Sequence, residues 1–284
     1  MMIKTKNPRS LITSILGSLI LLIVFYWLSS FVWHLVGIDW RETFYPALQK
    51  TLSGETPYDV PTFRNVPWTV LLLLPFALFS EDTGGILYFM ASIAGYAWVA
   101  YRLKASPLAF IAFMVSPPVV YGLRMLNVDF LVLIGFTLPA PLGLFFVLIK
   151  PQMGIVMVLY WLAEAWRAGG IKSVTRTFAP VAICLVLSFL IFGNWVAGRQ
   201  SDLLDSFWNA SLWPWALPIG LVLTALSIRD RRMDYGMAAS PFLSPYLAYH
   251  SWASALVGLL RYDFQLVVAV IGMWIAGLIH GFGL

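Results

Sequence analysis

The chain has 284 residues, of which 60% are apolar and only 11% charged, with a formal net charge of +5. A soluble domain carries about 25% charged residues, so a soluble enzyme and a nucleic-acid-binding module are both excluded. A polytopic membrane protein is expected. The single cysteine, Cys184, leaves no internal disulfide and speaks against a thiolate metal site.

Lys4, Lys6 and Arg9 precede a stretch, 10–38, without Asp, Glu, Lys or Arg. It exceeds the roughly 7–15 apolar residues of a signal peptide and the about 20 that cross a bilayer. A retained signal anchor with its N-terminus inside is expected. Asp39, Trp40, Arg41 and Glu42 follow at once, where the apolar run meets water.

Further uncharged runs cover 65–80, 83–101, 105–123, 130–149, 151–163, 177–198, 206–228, 235–260 and 264–284. The longest polar interval, 39–64, is too short for a core of its own. Residues 1–284 therefore read as a single transmembrane domain, all-α, with roughly nine to eleven membrane helices, some short or broken. Residues 39–82 read as an external loop with a surface or re-entrant helix, since 65–80 is short and carries Pro67 and Pro75. Lys and Arg concentrate in inner loops, which puts Arg102/Lys104, Arg167/Lys172/Arg176 and Arg229/Arg231/Arg232 inside. Run 105–123 then returns outward as one span to Arg124, Asn127 and Asp129. Run 130–149, with Gly135, Pro139, Pro141 and Gly143, reads as two half-helices returning Lys150 to the outer half. Run 151–163 descends, 177–198 rises and 206–228 descends. Ser240-Pro241 and Ser244-Pro245 make 235–260 either one kinked span or two short ones.

Four polar elements converge on the outer half. Asp39 is either a catalytic base or a headgroup carboxylate paired with Arg41. Arg124, Asn127 and Asp129 form either a polar turn or a lining for sugar hydroxyls or phosphate. Lys150, followed by Pro151 and Gln152, either snorkels to headgroups or holds an anionic ligand as a point charge. Tyr246 and His250 follow the second Ser-Pro break and are either interfacial or ligand-binding. No phosphate-binding Gly-rich loop, zinc motif or nucleophile elbow is present.

In order along the chain, Asp39-Trp40, the Gly54–Asp59 turn, Pro67-Trp68, Asn127-Val128-Asp129, Ile149-Lys150-Pro151-Gln152, Asn209-Ala210-Ser211-Leu212-Trp213 and Ser244-Pro245-Tyr246 with His250 resemble the GT-C class of membrane glycosyltransferases. More narrowly they resemble glycosyltransferase family 87, the polyprenol-phosphate-mannose-dependent mannosyltransferases. The likeness runs over most of the chain, which is shorter than family members.

The resemblance implies an enzyme of the plasma membrane with an external active site. It would move a mannose-like hexose, with inversion, from a polyprenyl-phosphate-sugar donor to a lipid-linked or glycan acceptor. Asp39 would be the base. Lys150, His250 and Arg124 would bind the donor phosphate. Asn127, Asp129, Gln152, Tyr246 and Arg41 would bind sugar and acceptor. No metal or other cofactor is implied. A non-catalytic membrane subunit derived from such an enzyme, and a lipid or solute transporter, are the alternatives.

Overall fold

The computed structural model describes residues 8–196, 204 and 206–280; Lys4 and Lys6 of the expected anchor lie outside them. Among the described residues the chain is helical, and its one β feature is an isolated bridge between Asn209 and Ala248. Helix α1 (Pro8–Val32) ends in a short 3₁₀ turn, and a π-helical turn, Trp40–Phe44, leads into α2 (Tyr45–Leu52). Helix α3 (Trp68–Ala77) precedes α4 (Glu81–Arg102), α5 (Pro107–Met114) and α6 (Pro117–Met125). Next come α7 (Asp129–Gly135), α8 (Ala140–Val147), α9 (Pro151–Phe192) and α10 (Leu217–Asp230). The chain closes with α11 (Met233–Leu243), α12 (Ala253–Val257) and α13 (Asp263–His280).

Among the described residues, Gly17–Leu35, Glu81–Arg102 and Pro151–Phe192 are long and apolar enough to cross a membrane, and α5 with α6 makes a fourth if that bent pair is one span, against the roughly nine to eleven membrane helices expected. Run 105–123 bends by 47° between α5 and α6. Ser116-Pro117-Pro118 is the cause, because proline removes a backbone donor and clashes with the preceding turn. The expected helix over 206–228 begins only at Leu217. Residues 206–216 are irregular instead, held by Asn209 and Ser211 to the 244–248 segment.

Helix α9 contains a reversal at Gly169-Gly170, where Gly170 has φ 55° and ψ −143°, a conformation open to glycine. A straight helix of 42 residues would be about 63 Å long. Yet its two ends meet one loop. Asn65 donates to the Ile149 carbonyl (3.3 Å), Tyr58 donates to the Asn65 carbonyl (2.9 Å), and the Tyr58 ring packs on Phe192. Residues 151–168 and 171–192 are therefore two antiparallel limbs.

Two shorter hairpins point in opposite directions. The α7–α8 pair has its open ends at Asp129 and Lys150, as the prolines and glycines of 130–149 implied. The α11–α12 pair has its open ends at Arg232 and Arg261 and its closed end at 244–250. Run 235–260 is thus two short pieces. The basic clusters gather at one end of the bundle: Arg231 binds Glu164, Arg167 donates to the Ile228 carbonyl, and Leu103, Arg231, Arg232 and Arg261 line one cavity.

Small residues allow the close packing. A Cβ on Gly85 would sit 1.9 Å from the Trp33 ring, so α1 and α4 touch there through an indole lying on bare backbone. Trp40, Tyr88, Tyr96 and Phe113 are among the largest fully buried side chains.

Candidate functional site

Asp39 is placed by its neighbours rather than by its own bonds to the backbone. Gly37, at φ 89°, donates its N–H to the Arg124 carbonyl (2.8 Å), which ties the end of the first span to the end of α6. Trp40 is completely buried and donates Nε1–H to the Glu81 carbonyl (2.9 Å). Its ring packs on Tyr88 and Tyr45. With Trp40 anchored, the half-buried Asp39 carboxylate accepts from Asn127 Nδ2.

Asn127 is aimed at Asp39 by two local devices. Leu126 adopts a left-handed conformation (φ 59°) that ends α6. The Asn127 Oδ1 then accepts the Val128 N–H (2.7 Å), which leaves its NH₂ facing Asp39. Tyr88 donates to the Asn127 carbonyl (3.3 Å).

Asp129 opens α7 and is fully buried. Lys150 precedes Pro151, which forces it into an extended conformation (φ −136°, ψ 86°) between α8 and α9. Its ammonium donates to Asp129 Oδ1 at 2.5 Å. His250, on the 3₁₀ turn Tyr249–Trp252, contacts the other carboxylate oxygen through Nδ1. An ionised carboxylate only accepts, so Nδ1 carries the proton and Nε2 is left to face elsewhere. Ser251 Oγ lies 3.5 Å from both Asp129 oxygens and from Lys150 Nζ. Burying a charge is costly unless it is paired and hydrogen-bonded; here one carboxylate is paired with the Lys150 ammonium and hydrogen-bonded to His250 at the meeting point of the two opposed hairpins.

The two carboxylates differ in kind. Both oxygens of Asp129 are engaged, one by Lys150 and one by His250. Asp39 has a neutral amide as its hydrogen-bond partner, with His250 and Lys150 acting on it through space. Burial pushes the proton affinity of Asp39 up from the ordinary carboxylate range, opposed by the His250 charge and the Asn127 hydrogen bond.

Arg41 has local partners. Its fork donates to the Val36 carbonyl (2.6 Å) and the Trp33 carbonyl (2.8 Å), and its guanidinium lies 4.3 Å over the Trp33 ring. It clamps the end of the first span, adding donors to the Val36 carbonyl and to the Trp33 carbonyl, which also accepts the Val36 N–H (3.3 Å). Gln152 is half-buried in the first turn of α9, and among the described residues no hydrogen bond joins its side chain to the cluster. Tyr246 is half-buried, with Arg64, Asp39 and Asp129 in electrostatic range of its hydroxyl. Arg124 is exposed beside Tyr121, which also feels Asp39.

Three further residues belong to this region. Tyr121 packs its ring against His250 at 5.9 Å; it lies three positions before Arg124 on one helical face, a spacing that brings side chains together. Ser251 follows His250 directly. Arg64 comes from the first loop, and nothing local marks it. Among the described residues no group of three His, Cys, Asp or Glu side chains is placed to hold a metal ion. No family model, curated protein or solved structure matches the chain.

Proposed function

We propose that the protein is a membrane glycosyltransferase that moves a hexose, mannose-like by resemblance, from a polyprenyl-phosphate-sugar donor to a hydroxyl of a lipid-linked or glycan acceptor. The observation that carries the reading is the division between two carboxylates in one polar region: Asp129 is neutralised by Lys150 and His250, whereas Asp39 accepts one hydrogen bond from a neutral amide. A general base must be ionised, reachable and close in proton affinity to the working pH. Half-burial and a single neutral partner suit Asp39 to that role.

In this mechanism an acceptor hydroxyl gives its proton to Asp39 as its oxygen bonds to the anomeric carbon. The bond from that carbon to the phosphate oxygen breaks on the opposite face, and its electron pair leaves with the lipid phosphate. Configuration inverts. Charge developing on the phosphate is stabilised by the guanidinium of Arg124, the remaining N–H groups of Lys150 and the Nε2 side of His250. Asp129 keeps Lys150 and His250 positioned. Asn127 orients the base, and Tyr246 lies beside the same charges for contact with sugar or acceptor. The resemblance further implies the plasma membrane and an external active site.

The test uses purified protein in detergent with a radiolabelled polyprenyl-phosphate mannose and a panel of glycan acceptors. Transfer that disappears in Asp39→Asn supports the reading, and transfer undiminished in that variant removes Asp39 from the role.

A second reading, a lipid or solute transporter, is favoured by one observation. The α7–α8 and α11–α12 hairpins enter from opposite directions and meet at a buried charged cluster, an arrangement used by transporters with broken helices. Flux of a labelled polyprenyl phosphate across proteoliposomes, without sugar transfer, would favour it.

A further inference from the structure

At the end of the bundle away from Asp39, a cavity of about 340 Å³ lies between α4, α9, α11 and α12. Its floor is apolar, including Met237 and Leu260, and its rim carries Arg231, Arg232 and Arg261 against one carboxylate, Asp234. We propose that this cavity binds the phosphate of an anionic phospholipid, with the glycerol and first chain carbons on the apolar floor.

The three guanidiniums are not equivalent. Arg232 is fixed by Asp234 and the Tyr262 hydroxyl and lies 4.2 Å over the Tyr235 ring. Arg231 gives Nε and Nη2 to Glu164, across to α9. Arg261 is exposed, and among the described residues no side chain pairs with it. Two of the forks are thus pre-set by neighbours, while the third keeps its donors for a ligand. Arg presents donors in a rigid planar fork that matches a phosphate bidentately. A basic pocket between membrane helices recognises anionic headgroups for this reason. The apolar floor decides for a lipid over soluble phosphate, because a free phosphate gains nothing from Met237 and Leu260.

Construction of the rim depends on close backbone approach. A Cβ on Gly258 would meet the Asp234 carbonyl at 2.6 Å, so α11 and the end of α12 are pressed together where Asp234 holds Arg232. The proposal does not depend on the glycosyltransferase reading.

The experiment is thermal unfolding of the full chain in detergent, titrated separately with phosphatidylglycerol, phosphatidylcholine, glycerol 3-phosphate and inorganic phosphate. Phosphatidylglycerol is expected to raise the unfolding temperature and the other three to leave it unchanged. Arg261→Gln should weaken the apparent phosphatidylglycerol affinity about fivefold, while Arg102→Gln, at the same end but stacked on Trp98, should not change it. Arg261 is exposed, so its replacement leaves packing intact, and unfolding in phosphatidylcholine alone checks this. Equal stabilisation by phosphatidylcholine, or equal losses in the two variants, would overturn the proposal in favour of generic surface charge. Equal stabilisation by glycerol 3-phosphate or inorganic phosphate would overturn the lipid in favour of a soluble phosphate.

Discussion

The Lys150 ammonium donates to Asp129 at 2.5 Å, and both residues are almost inaccessible. Two helices of the α7–α8 hairpin separate them in the chain, and closing that hairpin brings its ends together. His250 completes the group from a different hairpin. Removing one partner of a buried pair strands the other charge, which costs more than replacing both. Lys150→Met is therefore expected to destabilise the protein by about 3–5 kcal/mol, and Asp129→Asn by a comparable amount. The double variant should lose less than the sum. Unfolding temperatures of the wild type, two single variants and the double variant, in one detergent, check this; strict additivity would refute the coupling.

Asp39→Asn is expected to separate activity from stability. Transfer should fall by about a hundred- to ten-thousand-fold, the range for loss of general base catalysis. Stability at neutral pH should stay level or rise. Burial raises the proton affinity of Asp39 in the folded state, so the native protein binds more protons than the unfolded chain between the two pKa values. The stability contribution is then present below the unfolded pKa and is lost as pH rises through the folded one. Asn resembles the protonated form and removes that dependence while still accepting from Asn127. A large drop in unfolding temperature would show that Asp39 is structural.

The same shift sets the acid limb of activity. A base works when ionised, so transfer should decline as pH falls through the folded-state value of Asp39, at a pH above the ordinary carboxylate range. A rate–pH profile measured at saturating donor checks it. An acid limb unmoved by Asn127→Ala, which removes a hydrogen bond that favours the ionised form, would count against Asp39 as the titrating group.

Arg41→Lys tests a structural clamp against a ligand contact. A lysine supplies a point charge but cannot fork onto both the Val36 and Trp33 carbonyls. The expected outcome is a stability loss of about 1–2 kcal/mol with an unchanged KM for the donor. A raised KM at unchanged stability would restore Arg41 to the binding site.

Gly85→Ala should act at a distance. The new methyl would occupy the space of the Trp33 ring, and overpacking of this kind costs about 1–3 kcal/mol. Trp33 also donates to Asp82 (2.7 Å) and carries Arg41 on its face, so the loop bearing Asp39 should shift and transfer should fall. Unfolding temperature and turnover, measured together, check it; no change in either would show that the indole relocates freely.

Much of the path was legible from composition and prolines. Uncharged runs locate apolar segments because charge is costly in hydrocarbon, though among the described residues only three helices, or four with the bent α5–α6 pair, are long enough to cross; the Gly-Pro interruption over 135–143 marked the break between α7 and α8. Ser-Pro pairs likewise marked the α11–α12 break. The turn at Gly169-Gly170 was implied by charge alone, since Arg167, Lys172 and Arg176 had to share a side. Less legible were the bend at Ser116 and the irregular 206–216 segment, where hydrophobicity alone favours an unbroken helix.

By itself the sequence determined the membrane class, the helical architecture and the neighbourhood of the polar groups, since local composition and backbone chemistry govern each. Only the tertiary structure decided their partners. Asn127 reaches Asp39 across 88 positions and His250 reaches Asp129 across 121. Such pairings follow from the packing of opposed hairpins, which no local pattern records. That packing gave Asp39 a neutral partner, paired Asp129 with Lys150 and His250, and set Arg41 on the carbonyls of its own helix end.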